Sequence, residues 1–435
     1  MKPAISRSVT SLLTSTALRD ARRLATSLAR RLRGAAAQVH YFHQADDPYS
    51  HLALQTLERL AARYRVVLVP HLVPAPSADT APDRARLERW SCRDAAVLAR
   101  RLGLDAGFAA STPDPGLVAR ANAALAAAIA HGEFVAAATE IGAALWRGDG
   151  AALAERAAGA APGAADAALR DGEARRRKLG HYLGATFCFG GEWYWGVDRL
   201  HYLEDRLRAE GLAREGGDAP IAPVVDVELA AAGATGQRAV LHFFCSLRSP
   251  YTYLAVPRAR RLAEHYGAEL RLRFVLPMVM RGLPVPRAKR IYILRDAKRE
   301  ADRLGMRFGR VVDPVGRPVE RGLAVLHHAL RDGKGTAFAG SFLQGVFADG
   351  IDAGSDAGLE RLAARAGLDA AFVAAALADP SWREVAEANR AELLALGLWG
   401  VPSFRVDERD AHWGQDRLWA VEDDLRAAGS ATAPH

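Results

Sequence analysis

Apolar and polar positions in the second half of the chain predict a strand, a helix and a further strand in succession. Val240–Phe244 is a short apolar run of β-forming residues, and a helix is predicted to open at Ser249-Pro250 and to run to about Tyr266. A second apolar run, Leu270–Leu276, predicts another buried strand. Strand, helix and strand at this spacing form a βαβ unit, so the two strands are expected to be parallel.

The rest of this half is mostly helical in its periodicity. A long block at about 284–396 has helical spacing that is broken by Gly and Pro, and Pro402–Val406 predicts a strand. A short strand or turn follows at 409–413, and a last helix starts near Asp416. The predicted class is therefore α/β with a large helical insertion.

The first half of the chain repeats this pattern. HYFHQADDPYSHLA at 40–53 and HFFCSLRSPYTYLA at 242–255 are related by a constant offset of 202, and WGVDRL at 195–200 recurs as WGQDRL at 413–418. Such a register predicts two tandem copies of one fold. The predicted organisation is a basic amphipathic leader (1–37), a first copy (38–208), a linker (209–237), a second copy (238–428) and a tail (429–435).

Positive charge is concentrated in the leader. The net charge is +8, and residues 1–34 contain eight Lys or Arg against one acid, so the remaining chain carries about +1. This distribution weakens the case for nucleic acid or an anionic membrane as a partner of the folded body. No apolar stretch has the length of a membrane span or of a secretory signal. We expect a frayed or loosely docked helix that is dispensable for folding, with a transit peptide as the alternative.

The three cysteines, Cys92, Cys188 and Cys245, form no Cys-x-x-Cys pair and no Cys/His cluster with zinc spacing. Disulfide scaffold and structural metal site are therefore both disfavoured, and a cytoplasmic location is predicted. Cys245 is predicted to be a buried core residue. Ser249-Pro250 is a favourable helix start, because serine is a good N-cap and proline suits the first helical position. A helix that begins directly after a parallel strand would also stabilise an anion such as a thiolate at its N-terminus.

Both ends of the second copy carry motifs of a known family. The chain reads FFCSLRSPYTYLA and GVPSFRVDERDAHWGQDRL, with PRAKRIYILRDAKREADRLGM between them. This combination resembles 2-hydroxychromene-2-carboxylate isomerases and kappa-class glutathione transferases, in the DsbA-like branch of the thioredoxin superfamily. The resemblance covers 238–428 well and 38–208 in degraded form. It implies two tandem thioredoxin-like (DsbA-like) domains, each with a large helical insertion.

The resemblance implies glutathione as cofactor and Ser249 as the catalytic residue. The serine hydroxyl would donate a hydrogen bond to the thiolate of bound glutathione and lower the pKa of that thiol. Pro402 matches the family's cis-proline, and Val401 matches the residue whose backbone pairs with the cysteinyl unit. Gln415 and Asp416 match the positions that hold the γ-glutamyl end. An ordinary trans proline and a first-turn helix acid remain the alternatives for Pro402 and Asp416.

A substrate role is implied for four further residues: Tyr251, Lys289, Tyr292 and Asp296. The last three share one helix face with Arg299. A solvated, salt-bridged face is the alternative interpretation of that pattern.

The first copy has Asp47 at the position of Ser249 and Ala185 at the position of Pro402. A carboxylate at the helix start would repel a thiolate, although it would cap the helix well. The first copy is therefore predicted to be a scaffold that pairs with the second copy within the chain, as the family's subunits pair in dimers. A further homodimer is left open.

The predicted function is that of a glutathione-dependent isomerase or transferase acting on a small aromatic or electrophilic substrate through the second copy. In the isomerase, glutathione would add to a conjugated carbonyl system, permit rotation about the former double bond and leave unchanged. One alternative is a DsbA-like thiol–disulfide oxidoreductase, against which the absence of Cys-x-x-Cys speaks. The other is a non-catalytic binding protein built from two degenerate thioredoxin folds.

Overall fold

The computed structural model describes residues 3–107, 111–214, 219–230 and 238–430. The chain divides into two compact units. The C-terminal unit comprises Met1–Arg19, Val225–Val285 and Arg290–His435, as far as these are described, and the N-terminal unit comprises Asp20–Val224 and Pro286–Lys289.

The strands and helices follow one another in nearly the predicted order. The strands are β1 (Gln38–His43), β2 (Val67–Leu72), β3 (Thr186–Phe189), β4 (Glu192–Trp195), β5 (Val240–Cys245), β6 (Glu269–Phe274), β7 (Ser403–Val406) and β8 (His412–Trp413). The α-helices of the first half are α1 (Pro3–Leu13), α2 (Thr16–Leu32), α3 (Pro48–Leu54), α4 (Leu57–Arg63), α5 (Arg84–Leu102), α6 (Pro115–Ala130), α7 (Phe134–Arg147), α8 (Gly150–Ala157), α9 (Ala164–Leu179) and α10 (Leu200–Ala209). Those of the second half are α11 (Pro250–His265), α12 (Arg287–Arg303), α13 (Arg317–Arg331), α14 (Gly335–Gln344), α15 (Asp356–Ala364), α16 (Ala370–Ala378), α17 (Trp382–Ala395) and α18 (Leu418–Ser430).

Each unit contains one four-stranded sheet, and the two sheets have the same order. The orders are β2-β1-β3-β4 in the N-terminal unit and β6-β5-β7-β8 in the C-terminal unit. β5 pairs with β6 in parallel, as the βαβ spacing predicts, and β7 and β8 are antiparallel to their neighbours. The mixed α/β class is therefore confirmed.

The core of the C-terminal unit lies between its sheet and the surrounding helices. Phe243 on β5 and Phe404 on β7 are fully buried and stack with their ring centroids 4.7 Å apart. Leu254 and Leu262 on α11 are equally buried, because they recur on the face of the helix that meets the sheet. This packing fixes the start of α11 at the carboxyl end of β5.

The leader differs from its prediction. It forms two helices, and α1 is held by specific bonds within the C-terminal unit. Ser6 Oγ donates to the carbonyl oxygen of Val311 at 3.0 Å, and the Val311 amide donates to Thr10 Oγ1 at 3.0 Å. Ser6 and Thr14 are buried. The leader thus forms two helices rather than one, and polar side chains on α1 have main-chain partners that periodicity alone does not reveal.

The predicted linker is also anchored over much of its length. The Ile221 amide donates to Glu204 of the N-terminal unit at 2.8 Å, and the Glu228 amide donates to Glu422 of the C-terminal unit at 2.6 Å. Both glutamates are buried, so each fixes the main chain that passes over its own unit. Residues 215–218 and 231–237 of the predicted linker lie outside the described residues.

Within the described residues, every helix is too short or too polar to span a bilayer. The same residues contain no group of three or more His, Cys, Asp or Glu side chains arranged to hold a metal ion.

Candidate active site

Ser249 caps the first helix that follows the central strand of the C-terminal unit. Its backbone is extended, with φ −91° and ψ 117°, and Pro250 occupies the first helical position. The amide of Thr252 donates to Ser249 Oγ at 3.1 Å, which satisfies one of the free N–H groups of the first turn. The predicted helix start is thus confirmed, and it places a hydroxyl at the positive end of a 16-residue helix.

The loop before β7 meets Ser249 at this point. The Val401–Pro402 peptide bond is cis, as the resemblance implies. Ser249 Oγ donates to the carbonyl oxygen of Val401 at 3.3 Å. The two sequence motifs, which lie at opposite ends of the second copy, therefore meet at the Ser249 hydroxyl group and the main chain of Val401.

Tryptophan side chains support the loop that carries Val401. Trp399 packs edge-to-face on Trp413 with ring centroids 5.0 Å apart. A Cβ at Gly400 would lie 1.8 Å from the Trp413 ring, so only glycine fits at this approach. The Gly414 amide donates to the carbonyl oxygen of Pro402 at 2.9 Å. Trp413 thus supports this loop.

Arg281 is a residue of this loop region that the sequence does not single out. Its Nη2 donates to the carbonyl oxygen of Trp399 at 2.8 Å, and its Nε is buried without a hydrogen-bond partner. Burial lowers the pKa of the guanidinium from its usual value. No spacing pattern links residue 281 to residue 399, so only the fold reveals this contact.

The thiol groups of the protein lie away from the helix start. Cys245, the last residue of β5, is 1% exposed, and burial raises its pKa to about 12. Cys92 and Cys188 are also buried, and all three cysteines are free. The N-cap and third helical positions are Ser249 and Thr252, so the first turn of α11 contains no dithiol pair. Cys245 is a core residue, as predicted.

Gln415 does not project into an open site. Its side chain is buried, Arg258 Nη1 donates to its main-chain oxygen at 3.1 Å, and its own Nε2 donates to Glu300 Oε2 at 3.0 Å. These bonds hold the turn before α18. Asp416, its neighbour, is half-buried, and its carboxylate accepts a hydrogen bond from Gln415 Nε2.

The residues with an implied substrate role are spread over different environments. Asp296 is 2% exposed and accepts a hydrogen bond from the Tyr251 hydroxyl at 2.9 Å, so this pair ties α11 to α12. Tyr292 is also mostly buried. Lys289 groups with the N-terminal unit, where its Nζ donates to the carbonyl oxygen of Thr80 at 2.9 Å, and burial lowers its pKa to about 8. The structure therefore assigns Asp296 a structural bond that the shared helix face did not predict.

Comparison with family models decides the nature of the C-terminal unit. A model described as the DSBA-like thioredoxin domain matches residues 240–426. This segment is a DsbA-like thioredoxin domain. Its matched residues include Ser249, the cis bond before Pro402 and the whole sheet of the C-terminal unit.

Three solved structures that resemble part of this chain each cover less than half of it. A probable DsbA oxidoreductase from Streptomyces coelicolor is 24% identical, with 46% of this chain and 93% of that chain covered at a TM-score of 0.37. A 2-hydroxychromene-2-carboxylate isomerase is 21% identical, with 43% and 94% covered at 0.36. A cytosolic disulfide reductase, DsbM, from Pseudomonas aeruginosa solved with GSH is 24% identical, with 43% and 96% covered at 0.35. No match was found among curated protein sequences.

The N-terminal unit has different residues at the positions that correspond to Ser249 and Pro402. The sheet register pairs Phe42 with Thr186 as it pairs Phe244 with Ser403, which puts Ala185 at the position of Pro402. The Ala185 amide donates to Ser50 Oγ at 2.9 Å, a bond that proline could not make. Asp47 caps α3 by accepting from Ser50. A polar network thus fills the place of the cis-proline edge.

Proposed function

We propose that the DsbA-like domain uses bound glutathione as its reactive thiol and Ser249 as its catalytic residue. The observation that carries the proposal is the Ser249 hydroxyl, which stands at the start of α11 within 3.3 Å of the carbonyl before cis Pro402. The first turn has no cysteine, so any thiol chemistry here must use a thiol from outside the chain. The GVPSF and SPYTY motifs that meet here are those on which the resemblance to glutathione-dependent isomerases rests.

Two features of the chain suit this place to a thiolate. The hydroxyl of Ser249 can turn from the Val401 carbonyl and donate to an incoming sulfur, while its oxygen continues to accept from Thr252. The N-terminus of α11 adds its partial positive charge, which favours an anion in the first turn. Both effects lower the pKa of a thiol and raise the fraction of thiolate at neutral pH.

Other residues of the domain would hold the peptide. The main chain of Val401 presents an edge that can pair with the cysteinyl unit, and the cis bond at Pro402 fixes the direction of that edge. Asp416 is the proposed partner of the γ-glutamyl ammonium group. Arg281 brings a cation to the loop that carries Val401, through its bond to Trp399. Gln415 positions the turn that carries Asp416. Glutathione supplies a soft nucleophile when it is bound.

The reaction class that we propose is isomerisation or transfer on a small aromatic or electrophilic substrate. Tyr251 and Tyr292 keep their proposed place as substrate residues, whereas Asp296 acts by positioning Tyr251. We further propose that the chain arose by tandem duplication and that the N-terminal unit is a thioredoxin-like scaffold. Its sheet order and its Tyr49–Asp94 hydrogen bond of 2.6 Å match those of the DsbA-like domain.

The family match also raises disulfide oxidoreduction as a second candidate. Such an enzyme needs a reactive cysteine of low pKa, and burial raises the pKa of Cys92 and Cys188 to about 11. We therefore expect no acceleration of insulin disulfide reduction by dithiothreitol when the protein is added. A clear acceleration would favour the oxidoreductase over the glutathione-dependent enzyme.

Isothermal titration with glutathione tests the proposal. We expect one site per chain, and we expect Arg281→Gln and Asp416→Asn each to weaken binding. S-methylglutathione, which keeps the peptide and loses the thiolate, should bind more weakly than glutathione to the wild type, and the difference between the two ligands should be smaller in Ser249→Ala. Absence of any binding would leave a non-catalytic scaffold as the better account.

A further inference from the structure

The second leader helix, α2, turns its apolar side away from the protein. Leu24, Leu28 and Leu32 are spaced four residues apart and therefore lie on one face of the helix. Their exposed fractions are 62%, 48% and 88%. We refer to these three side chains as the leucine ridge. They are among the most exposed large apolar residues of the described chain, and they are contiguous.

The opposite side of α2 faces the N-terminal unit through charged groups. Arg23 donates to both carboxylate oxygens of Glu192 at 2.6 Å, and Arg30 donates to Glu210 at 3.2 Å. Beneath the helix lies a cavity of about 370 Å³, which Ser27 and Arg30 help to line. A helix on the surface of a globular protein normally turns its apolar side inward. In α2 the charged side faces the protein and the apolar side faces outward. Packing within the protein therefore does not explain why the exposed side carries leucines.

Exposed arginines flank the leucine ridge. At 100° per residue, Arg31 lies on one side of the ridge and Arg22 on the other, and Arg33 follows at the end of the helix. All three are exposed. Asp20 is the one acidic residue in the sequence of α2, and it lies 3.9 Å from Arg23 on the side away from Arg22. The outward surface is therefore apolar along its centre, with Arg31 and Asp20 along one margin and Arg22 on the other side, and its exposed charges sum to a net positive charge.

We propose that the leucine ridge and its arginines bind the surface of an anionic phospholipid bilayer, with α2 lying in the plane of the interface. An amphipathic helix of low mean hydropathy with a basic margin has the composition of such interfacial helices. The leucines would enter the boundary between headgroups and acyl chains, and the guanidinium groups would meet lipid phosphates. A second copy of the chain fits less well, because two ridges face to face would bring two sets of arginines together.

Co-sedimentation of the full chain with vesicles tests this proposal. We expect binding to phosphatidylcholine vesicles that contain one-third phosphatidylserine, and little binding to pure phosphatidylcholine. Binding should weaken as salt is added, because the arginine contribution is screened. Equal binding to both kinds of vesicle, or no binding to either, would overturn the proposal.

Variants of exposed residues assign the binding to α2. We expect Leu24→Ser/Leu28→Ser/Leu32→Ser to reduce binding by about tenfold or more, because the buried apolar area is lost. Arg22→Gln/Arg31→Gln/Arg33→Gln should reduce it by a similar factor and flatten its salt dependence. The matched control Val67→Ser/Leu377→Ser removes two exposed apolar residues elsewhere and should leave binding unchanged. Unchanged vesicle binding in the leucine variant would contradict the proposal. So would a wild type that binds no vesicles but forms a concentration-dependent dimer, if the leucine variant abolishes that dimer.

Discussion

The side-chain oxygen of Ser249 lies 3.3 Å from the carbonyl oxygen of Val401, although the two residues are 152 positions apart in the chain. This hydrogen bond joins the start of α11 to the loop that contains the cis peptide bond at Pro402. Helix capping alone would need only the bond that Ser249 accepts from Thr252. The additional contact shows that the hydroxyl faces the main-chain edge on which we propose that a peptide thiol binds.

Tyr251→Phe should destabilise the DsbA-like domain more than a comparable loss of a tyrosine hydroxyl nearby. The Tyr251 hydroxyl donates to the buried carboxyl group of Asp296, and a hydrogen bond to a charged group is worth about 1.5–3 kcal/mol. Chemical denaturation should show an unfolding free energy lower by that amount.

The matched control for this variant is Tyr253→Phe. Its hydroxyl donates to the neutral carbonyl oxygen of Arg307 at 2.7 Å, so a smaller loss of about 1 kcal/mol is expected. Tyr49→Phe, which removes the corresponding bond to Asp94, should cost as much as Tyr251→Phe. Equal losses in Tyr251→Phe and Tyr253→Phe would show that Asp296 does not depend on its tyrosine.

Removal of residues 1–15 should lower the melting temperature. Ser6 and Thr10 satisfy main-chain groups of Val311, and Arg7 Nη1 donates to the carbonyl oxygen of Gly350 at 3.1 Å. Loss of these hydrogen bonds should cost roughly 5 °C or more. Ser6→Ala should lose about 1 kcal/mol of unfolding free energy, whereas Ser11→Ala, at an exposed position of the same helix, should lose none. An unchanged melting temperature after the deletion would mean that α1 adds nothing to the fold.

Asp47 should make the stability of the protein depend on pH. Burial raises the pKa of its carboxyl group to about 6, with a further contribution from Asp46, against an ordinary value near 3.9. Because the folded state binds this proton more tightly, the stabilisation is complete below pH of about 4 and is lost as the pH rises through about 6. Asp47→Asn keeps a helix cap and cannot ionise, since asparagine caps as well as aspartate.

Denaturant titrations at several pH values test this expectation. The unfolding free energy of the wild type minus that of Asp47→Asn should fall by about 1–3 kcal/mol between pH 4 and pH 7. A difference that stays flat with pH would show that the Asp47 carboxyl group is not buried in the way described.

Asp47→Ser should not create a second glutathione site. The place of the cis-proline is taken by Ala185, whose amide is bonded to Ser50, so the main-chain edge found at Val401 is missing. Isothermal titration of the variant should still give no more than one glutathione per chain. A stoichiometry of two would show that a single hydroxyl group makes the site.

Much of the fold and the centre of the site could be predicted from local pattern. The pattern of apolar residues predicts β5, β6 and α11, because burial on one side of a strand or helix leaves a regular pattern in the sequence of that element. The Ser-Pro and Val-Pro dipeptides mark Ser249 and Pro402, because both carry specific backbone geometry at a helix start and before a strand. The repeat also includes the residues of the Tyr251–Asp296 bond, since Tyr49 and Asp94 stand at the corresponding positions of the first copy and form the same bond.

Contacts between distant elements could not be predicted in this way. Arg281 reaches Trp399, and Gln415 is enclosed by Arg258 and Glu300, only because the fold brings separate segments together. The leader illustrates the same limit, because its helical periodicity is genuine but its polar residues determine where α1 packs. Periodicity therefore identifies an element and its apolar side, whereas the partners of its polar side chains depend on tertiary structure.

The most direct test of the glutathione site is the pKa of the bound thiol, followed by the ultraviolet absorbance of the thiolate as a function of pH. Ser249→Ala should raise this pKa by about one to two units, because the lost hydrogen bond to the sulfur anion is worth about 1.5–3 kcal/mol. The control is Ser355→Ala, since Ser355 caps α15 through a bond from Gly358 and lies outside the site. It should lose a similar helix cap, about 1 kcal/mol of unfolding free energy, and leave the thiol titration unchanged. Superimposable titrations for the wild type and Ser249→Ala, with only stability altered, would contradict the account and leave Ser249 as a helix cap.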